Sequence, residues 1–180
     1  MEYRWFSFLL IGLLLLFILL TIILRNKRIV AGILVSLATI ILIWKTIEFS
    51  YYAINHTGTY PIEISHISYF VFGVIILSGL TKFYFTAGIF GFISGLGYMV
   101  AGIVSPASVV TSLPTHLFVM GIISHMILLF GGMLTLFNFA KYEMKRFYFP
   151  LIGLVLVFIF AYLVDQKYID FKHRNLFFFH

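Results

Sequence analysis

The sequence predicts an all-α polytopic membrane protein, built as a bundle of six transmembrane helices. Of its 180 residues, 62% are hydrophobic and only 10% are charged, whereas soluble domains keep about 25% charged residues. The hydrophobic residues form six stretches of roughly the 20 residues that cross a bilayer. Because these stretches are continuous and do not alternate with polar residues, they predict helices and not the strands of a membrane barrel.

The six predicted helices follow one another closely in a single domain that spans residues 1–180. They lie near residues 6–24, 29–47, 61–80, 83–103, 115–138 and 148–165. The first stretch is too long for a signal peptide and the basic segment "RNKR" follows it, so we expect it to remain as a membrane anchor. These features predict a multi-pass protein of the cell membrane.

The basic residues lie mainly in the connections between the hydrophobic stretches. The net charge is +6, with clusters at "RNKR" and "KYEMKR". Basic clusters at helix ends set the orientation of a membrane protein and contact anionic lipids. The odd-numbered connections carry seven basic residues and the other side five, which favours both termini outside. A basic surface interleaved with aromatic residues is missing, so nucleic-acid binding is not predicted.

Small residues recur at every fourth position of the fourth predicted helix, including Gly91 and Gly95. Such a stripe allows two helix backbones to approach closely within lipid. It therefore predicts a tightly packed central helix, and Ser94 beside it is expected to be a packing residue. A similar packing role is expected for Gly32 and Ser36 on the second helix.

The segment "YPIEISHISYF", residues 60–70, places polar residues where the third helix enters the membrane. Pro61 suits the first turn of a helix, and Glu63 suits the positive end of the helix dipole. Ser65 and His66 lie one turn deeper, where helix-entry physics does not explain them. Polar and ionisable residues at such positions are candidates for function.

The segment "LPTHLFVMGIISHMILLFGGM" holds the second group of polar residues. His125 is followed by a long apolar run, and Ser124 is its polar neighbour. A histidine in this setting either hydrogen-bonds to a neighbouring helix or acts as a general acid or base, since imidazole changes protonation near neutral pH. His116 lies at the mouth of the fifth helix and is expected at the membrane interface.

A serine on one helix and a histidine on another can act as a nucleophile and its base. Ser65 lies about one turn inside its helix and His125 about two to three turns, so helix tilt must bring them together. The histidines and glutamates of the two segments lack the i, i+4 spacing of a helical ligand pair, and we predict no metal and no cofactor. The absence of cysteine excludes disulfides and a cysteine nucleophile.

Residues 60–133 resemble the YwaF-like family of small integral membrane proteins. The segment "YPIEISHISYFVFGV" is similar to the family's helix opening of Pro–Leu–His/Glu–Leu–Cys. The segments "GIFGFISGLGYMVAGIVSP" and "PTHLFVMGIISHMILLFGG" resemble the next two family segments, a proline-containing loop and then a helix with Ser–His–Gly. Order and spacing agree, whereas the flanking helices match in hydropathy alone.

The resemblance implies chemistry on lipids, because the family includes a eukaryotic branch of transmembrane acyltransferases. In that branch the cysteine of the first motif and the histidine of the second are the proposed catalytic pair. By position, these are Ser65 and His125 here. Serine is a weaker nucleophile than cysteine unless a base activates it, and Met126 stands where the family usually has glycine, so we expect a diverged member. The residues expected to bind or orient substrate are Glu63, His66, His116 and Ser124.

The sequence therefore favours a lipid acyltransferase or acyl-ester hydrolase whose partners are membrane lipids, with a homodimer or a larger membrane complex left open. One alternative is a binding or transport module like the substrate-binding subunits of energy-coupling vitamin transporters, although the first helix lacks their docking stripe. An intramembrane protease is another, because "GFISGLG" is similar to the rhomboid Gly-x-Ser-Gly, but Phe92 replaces its first glycine. A structural subunit of a membrane complex is the third.

Overall fold

The computed structural model describes residues 3–54, 64–111, 115–140, 147–156 and 159. Within these residues the chain forms helices and short connections, and it contains no strand. The helices are α1 Arg4–Ile23, α2 Lys27–Ile54, α3 Ile64–Leu77, α4 Tyr84–Val104, α5 Pro106–Thr111 and α6 Thr115–Asn138. A 3-10 turn at Thr81–Phe83 precedes α4, and residues 148–156 are helical. The all-helical fold class is confirmed.

Four helices have the length and the hydropathy of membrane spans. They cover Arg4–Ile23, Lys27–Tyr51, Thr81–Val104 and Phe118–Asn138, which match the first, second, fourth and fifth predicted spans. The third predicted span corresponds to α3, of which 14 residues are described. The sixth, 148–165, lies partly outside the described residues. The count of six spans therefore stays a prediction.

Two helices differ from the predicted boundaries. The second span was predicted to end at residue 47, but α2 continues to Ile54 and so includes Glu48 together with Lys45. The predicted loop 104–114 contains α5. The start of α2 is marked by Asn26, whose side-chain Oδ1 accepts hydrogen bonds from the backbone N–H groups of Arg28 at 3.0 Å and Ile29 at 3.4 Å. Asparagine is favoured at this position because it satisfies N–H groups that have no partner within the helix.

The closest helix pair is α4 with α6, and glycine makes this approach possible. A Cβ added at Gly91 would lie 2.9 Å from the carbonyl oxygen of Leu128, and one at Gly132 would lie 2.5 Å from the backbone nitrogen of Phe92. Any side chain at these positions would push the two backbones apart. The packing role predicted for the glycine stripe is confirmed, and the stripe aligns α4 with the part of α6 that carries His125.

The outer surfaces of α1 and α2 are apolar and exposed, as expected of helices that face lipid. The first half of α1 packs on the end of α4, where Phe6 and Leu10 contact Gly102. On α2, the predicted packing role of Gly32 and Ser36 is wrong. Both residues are exposed, and a Cβ at Gly32 would meet nothing within 4 Å.

Candidate functional site

Polar side chains collect where α2, α3, α4 and α6 converge, towards the end of the bundle that holds the start of α1. The buried ones on these helices near that end are Lys45, Ser65, Ser68, Ser94, Ser124 and His125. Two tyrosines complete the arrangement, Tyr69 on α3 and Tyr98 on α4. We name Lys45, Tyr69, Tyr98 and His125 the tyrosine–histidine cluster, because direct contacts join these four side chains.

His125 is held between two tyrosines from different helices. Its Nε2 atom lies 3.2 Å from the hydroxyl of Tyr69, within hydrogen-bonding distance. The ring of Tyr98 stacks on the imidazole with the centroids 4.2 Å apart and the planes 11° from parallel. The imidazole is 7% exposed. His125 therefore has one ring nitrogen directed at α3 and one face covered by α4.

Nε2 of His125 can accept a hydrogen bond from the Tyr69 hydroxyl or donate one to it, and the tautomer differs between the two cases. When the Tyr69 hydroxyl donates to Nε2, the neutral imidazole carries its proton on Nδ1. Nδ1 has no partner of good hydrogen-bond geometry among the described residues, and the backbone of Ser94 is a polar group close to the ring. In this arrangement Nε2 is the basic nitrogen, and it points at α3.

Lys45 brings a buried positive charge to the cluster. Its side chain is 4% exposed, and its ammonium nitrogen lies 2.7 Å from a carboxylate oxygen of Glu48, one turn further along α2. The same nitrogen lies 4.5 Å from the centroid of the Tyr69 ring. An ammonium over an aromatic face is attracted by the negative face of the ring. Lys45 is thus neutralised within its own helix and held against Tyr69.

Ser65 shares a helix face with Tyr69, because residues four apart on a helix lie one above the other. Long side chains in helices lean towards the N-terminus, over the preceding turn. The Tyr69 side chain therefore covers the turn that carries Ser65, and both residues are buried. The described partner of His125 on α3 is Tyr69, one turn beyond the predicted nucleophile.

The other predicted site residues are distributed around this core. Ser124 is buried. It directly precedes His125 on α6, so its side chain points about 100° away from that of His125 around the helix axis. His66 is half-buried, and its ring meets that of Phe49 edge-on, with the centroids 5.0 Å apart. Its ring centroid lies 6.3 Å from that of Tyr69, so His66 borders the cluster on the side of α2.

Two predicted site residues lie outside what the structure describes. Glu63 precedes the described part of α3, and the side chain of His116 is outside the described residues although its backbone belongs to α6. Among the side chains that are described, no three histidines, aspartates or glutamates come together as metal ligands.

Three members of the cluster were not identified as site residues from the sequence. Lys45 was counted from the sequence as one of the five basic residues on the side of the membrane opposite the odd-numbered connections, because a charge normally marks a helix end. Tyr69 and Tyr98 are two of many aromatic residues in this chain, so their residue type alone does not distinguish them. Two spacings in the sequence could have identified Lys45 and Tyr69 as site residues. They are the i, i+3 spacing of Lys45 and Glu48 and the i, i+4 spacing of Ser65 and Tyr69. Both spacings place pairs of polar groups on a single helix face.

Comparisons with protein-family models, with curated proteins and with solved structures find no match to this chain. The site therefore has to be interpreted from its own chemistry, as a tyrosine–histidine pair beside a serine and a neutralised lysine, buried among helices of membrane-spanning character.

Proposed function

We propose that the protein is an enzyme of the cell membrane that acts on lipid acyl esters, as an acyltransferase or an acyl-ester hydrolase. The observation that carries the proposal is the hydrogen bond between His125 and Tyr69 on the face of α3 that also holds Ser65. It directs the basic nitrogen of a buried histidine towards a helix face with a buried serine hydroxyl. A base positioned in this way is what a serine needs to become a nucleophile.

In the proposed reaction, Ser65 Oγ attacks the carbonyl carbon of a lipid ester, and the serine proton is transferred to His125. The bond from the carbonyl carbon to the lipid alcohol breaks, and that proton passes to the departing oxygen. Water or a second lipid hydroxyl then attacks the acyl-serine and releases the acyl chain. Water gives hydrolysis, and the lipid hydroxyl gives acyl transfer. His66 borders this site and is proposed to orient the substrate, together with Ser124, Glu63 and His116.

Burial supports a lipid substrate over a soluble one. Ser65 and His125 lie among helices whose outer surfaces are apolar, and His125 is ten residues into α6, about 15 Å along the helix axis. A lipid acyl chain is soluble in the same medium as these helices and can approach them from the side. A polar substrate would have to leave water to reach the same atoms.

The test uses the purified full chain in lipid nanodiscs that contain a fluorogenic acyl ester of glycerophospholipid. We expect Ser65→Ala and His125→Ala each to lower turnover at least 100-fold, since a positioned acid–base group contributes about 10²–10⁴ in rate. Ser65→Cys is expected to retain turnover and to form a thioester that hydroxylamine cleaves. Ser36→Ala is the matched control, because Ser36 is exposed and bonds only to the backbone of Gly32 among the described groups. Full turnover in both alanine variants would refute the proposal.

A further inference from the structure

Tyr69 connects the helix face that carries the proposed nucleophile to its base. Its hydroxyl contacts Nε2 of His125 at 3.2 Å, and Tyr69 is almost completely buried. Ser65 lies one turn before Tyr69 on the same face of α3. The phenol is therefore the described group through which this face of α3 meets His125.

We propose that Tyr69 conducts the proton from Ser65 to His125 and is thus a working part of the reaction. This inference rests on the proposed function. As Ser65 Oγ forms its bond to the ester carbonyl carbon, its proton moves to Tyr69 Oη while the phenolic proton moves to Nε2 of His125. The leaving lipid oxygen takes a proton back through the same two groups. The tyrosine and the histidine end each half-reaction in the state in which they began.

Lys45 gives this role its electrostatic basis. A phenol that passes a proton carries partial negative charge at the moment of transfer, and a positive charge that is already in place stabilises it without reorganisation. The Lys45 ammonium is 4.5 Å from the ring centroid of Tyr69. Glu48 pairs with this ammonium, and the ammonium is the charged group that contacts the ring face.

The described ionisable groups near Tyr69 come from the three helices that pack on α3 and from α3 itself. Helices α2, α4 and α6 pack against α3. They bring Lys45 with Glu48 from α2, Tyr98 from α4 through its stack on the imidazole, and His125 from α6. On α3 itself, the ring of His66 has its centroid 6.3 Å from that of Tyr69. A change in the acidity of the Tyr69 phenol should therefore be felt chiefly through His125 and Lys45.

The experiment replaces Tyr69 in two ways in the full chain in nanodiscs, using the same fluorogenic lipid ester. Tyr69→Phe keeps the ring and removes the hydroxyl, and we expect kcat to fall about 100-fold with little change in KM. Replacement of Tyr69 by 3,5-difluorotyrosine keeps the hydroxyl and makes it more acidic, and we expect turnover to return with a pH–kcat profile moved to lower pH. Thermal unfolding of each variant reports whether it is folded.

Tyr84 provides the matched control for fluorination. It is a half-buried tyrosine at the other end of α4, where its ring meets that of Phe139. Difluorotyrosine at position 84 should leave the profile unchanged. Folded Tyr69→Phe with more than a third of the original kcat would overturn the relay, and so would a profile that difluorotyrosine at position 69 does not move. If Ser65→Ala and His125→Ala abolish turnover in that case, the proposed function stands and only the relay fails. If those two variants keep full turnover, the proposed function fails.

Discussion

Replacing Gly95 by alanine would place a methyl group where the backbones of α4 and α6 meet. The added Cβ would lie 2.5 Å from the Cβ of Leu129, 2.6 Å from its backbone nitrogen and 2.7 Å from the carbonyl oxygen of His125. Two of these three atoms belong to the backbone and cannot rotate away. The strain can be relieved only by moving α6 away from α4.

The size of the effect follows from these distances. Ordinary contacts to a Cβ begin near 3.4 Å, so the helices must separate by about 0.8 Å at this point, and overpacking of this kind costs about 1–3 kcal/mol. Alanine also has the higher helix propensity, by about 1 kcal/mol in water. Because a glycine-to-alanine change at an exposed position of the same helix has the same propensity gain, we expect Gly95→Ala to be less stable than such a variant by about 2 kcal/mol, the middle of the overpacking range. The same movement would draw the His125 imidazole off the Tyr98 ring.

The measurement compares apparent melting temperatures in one detergent at one heating rate. Gly97→Ala is the matched control, since Gly97 lies two residues further along α4, is exposed, and would meet nothing within 4 Å. A loss of about 2 kcal/mol corresponds to a fall of about 4–8 °C in a chain of this size. If Gly95→Ala melts at or above the temperature of Gly97→Ala, the close approach of α4 and α6 is not what holds this region together.

Two further predictions concern α2. Lys45→Met should lower the free energy of unfolding by about 2 kcal/mol, less than the ~3–5 kcal/mol of a fully buried pair, because the partner Glu48 is 21% exposed. The double variant Lys45→Met with Glu48→Gln should recover most of this loss in denaturant unfolding, and equal stability of the two variants would contradict the ion pair. Asn26→Ala should cost about 1 kcal/mol through loss of the helix cap. Asn26→Ser should retain most of that stability, and no difference between these two variants would show that the cap contributes nothing.

The sequence predicts those parts of the fold that depend on the length of an apolar run. The spans of α1 and α6 match closely because each run is as long as a bilayer is thick, and the glycine stripe of α4 was visible because small residues leave a periodic pattern. The end of α2 was wrong for a physical reason. Hydropathy treats each charge separately, whereas Lys45 and Glu48 neutralise each other one turn apart and allow the helix to continue.

The candidate site was only partly predictable. His125 and Ser65 were noticed because a polar residue in an apolar run is rare, and both are buried in the structure. The contact of His125 with α3 was hidden, because it is made by Tyr69, which belongs to a residue type that is common throughout this chain. Which aromatic ring meets the imidazole depends on the rotation of α3 relative to α6. That rotation depends on the packing of α3 on α6, where the ring of Phe72 lies against Gly131.

The position of Glu48 has a consequence for how the chain is inserted during synthesis. The ammonium of Lys45 needs a partner for its charge before Tyr69 has been synthesised, because α2 leaves the ribosome before α3. Its acidic partner is on the same helix, so the charge can be neutralised as soon as α2 has formed its final turns. Beyond the basic first turn, Lys27 and Arg28, the second helix can then enter the bilayer with its charges paired, and Tyr69 meets an ammonium group that is already in place.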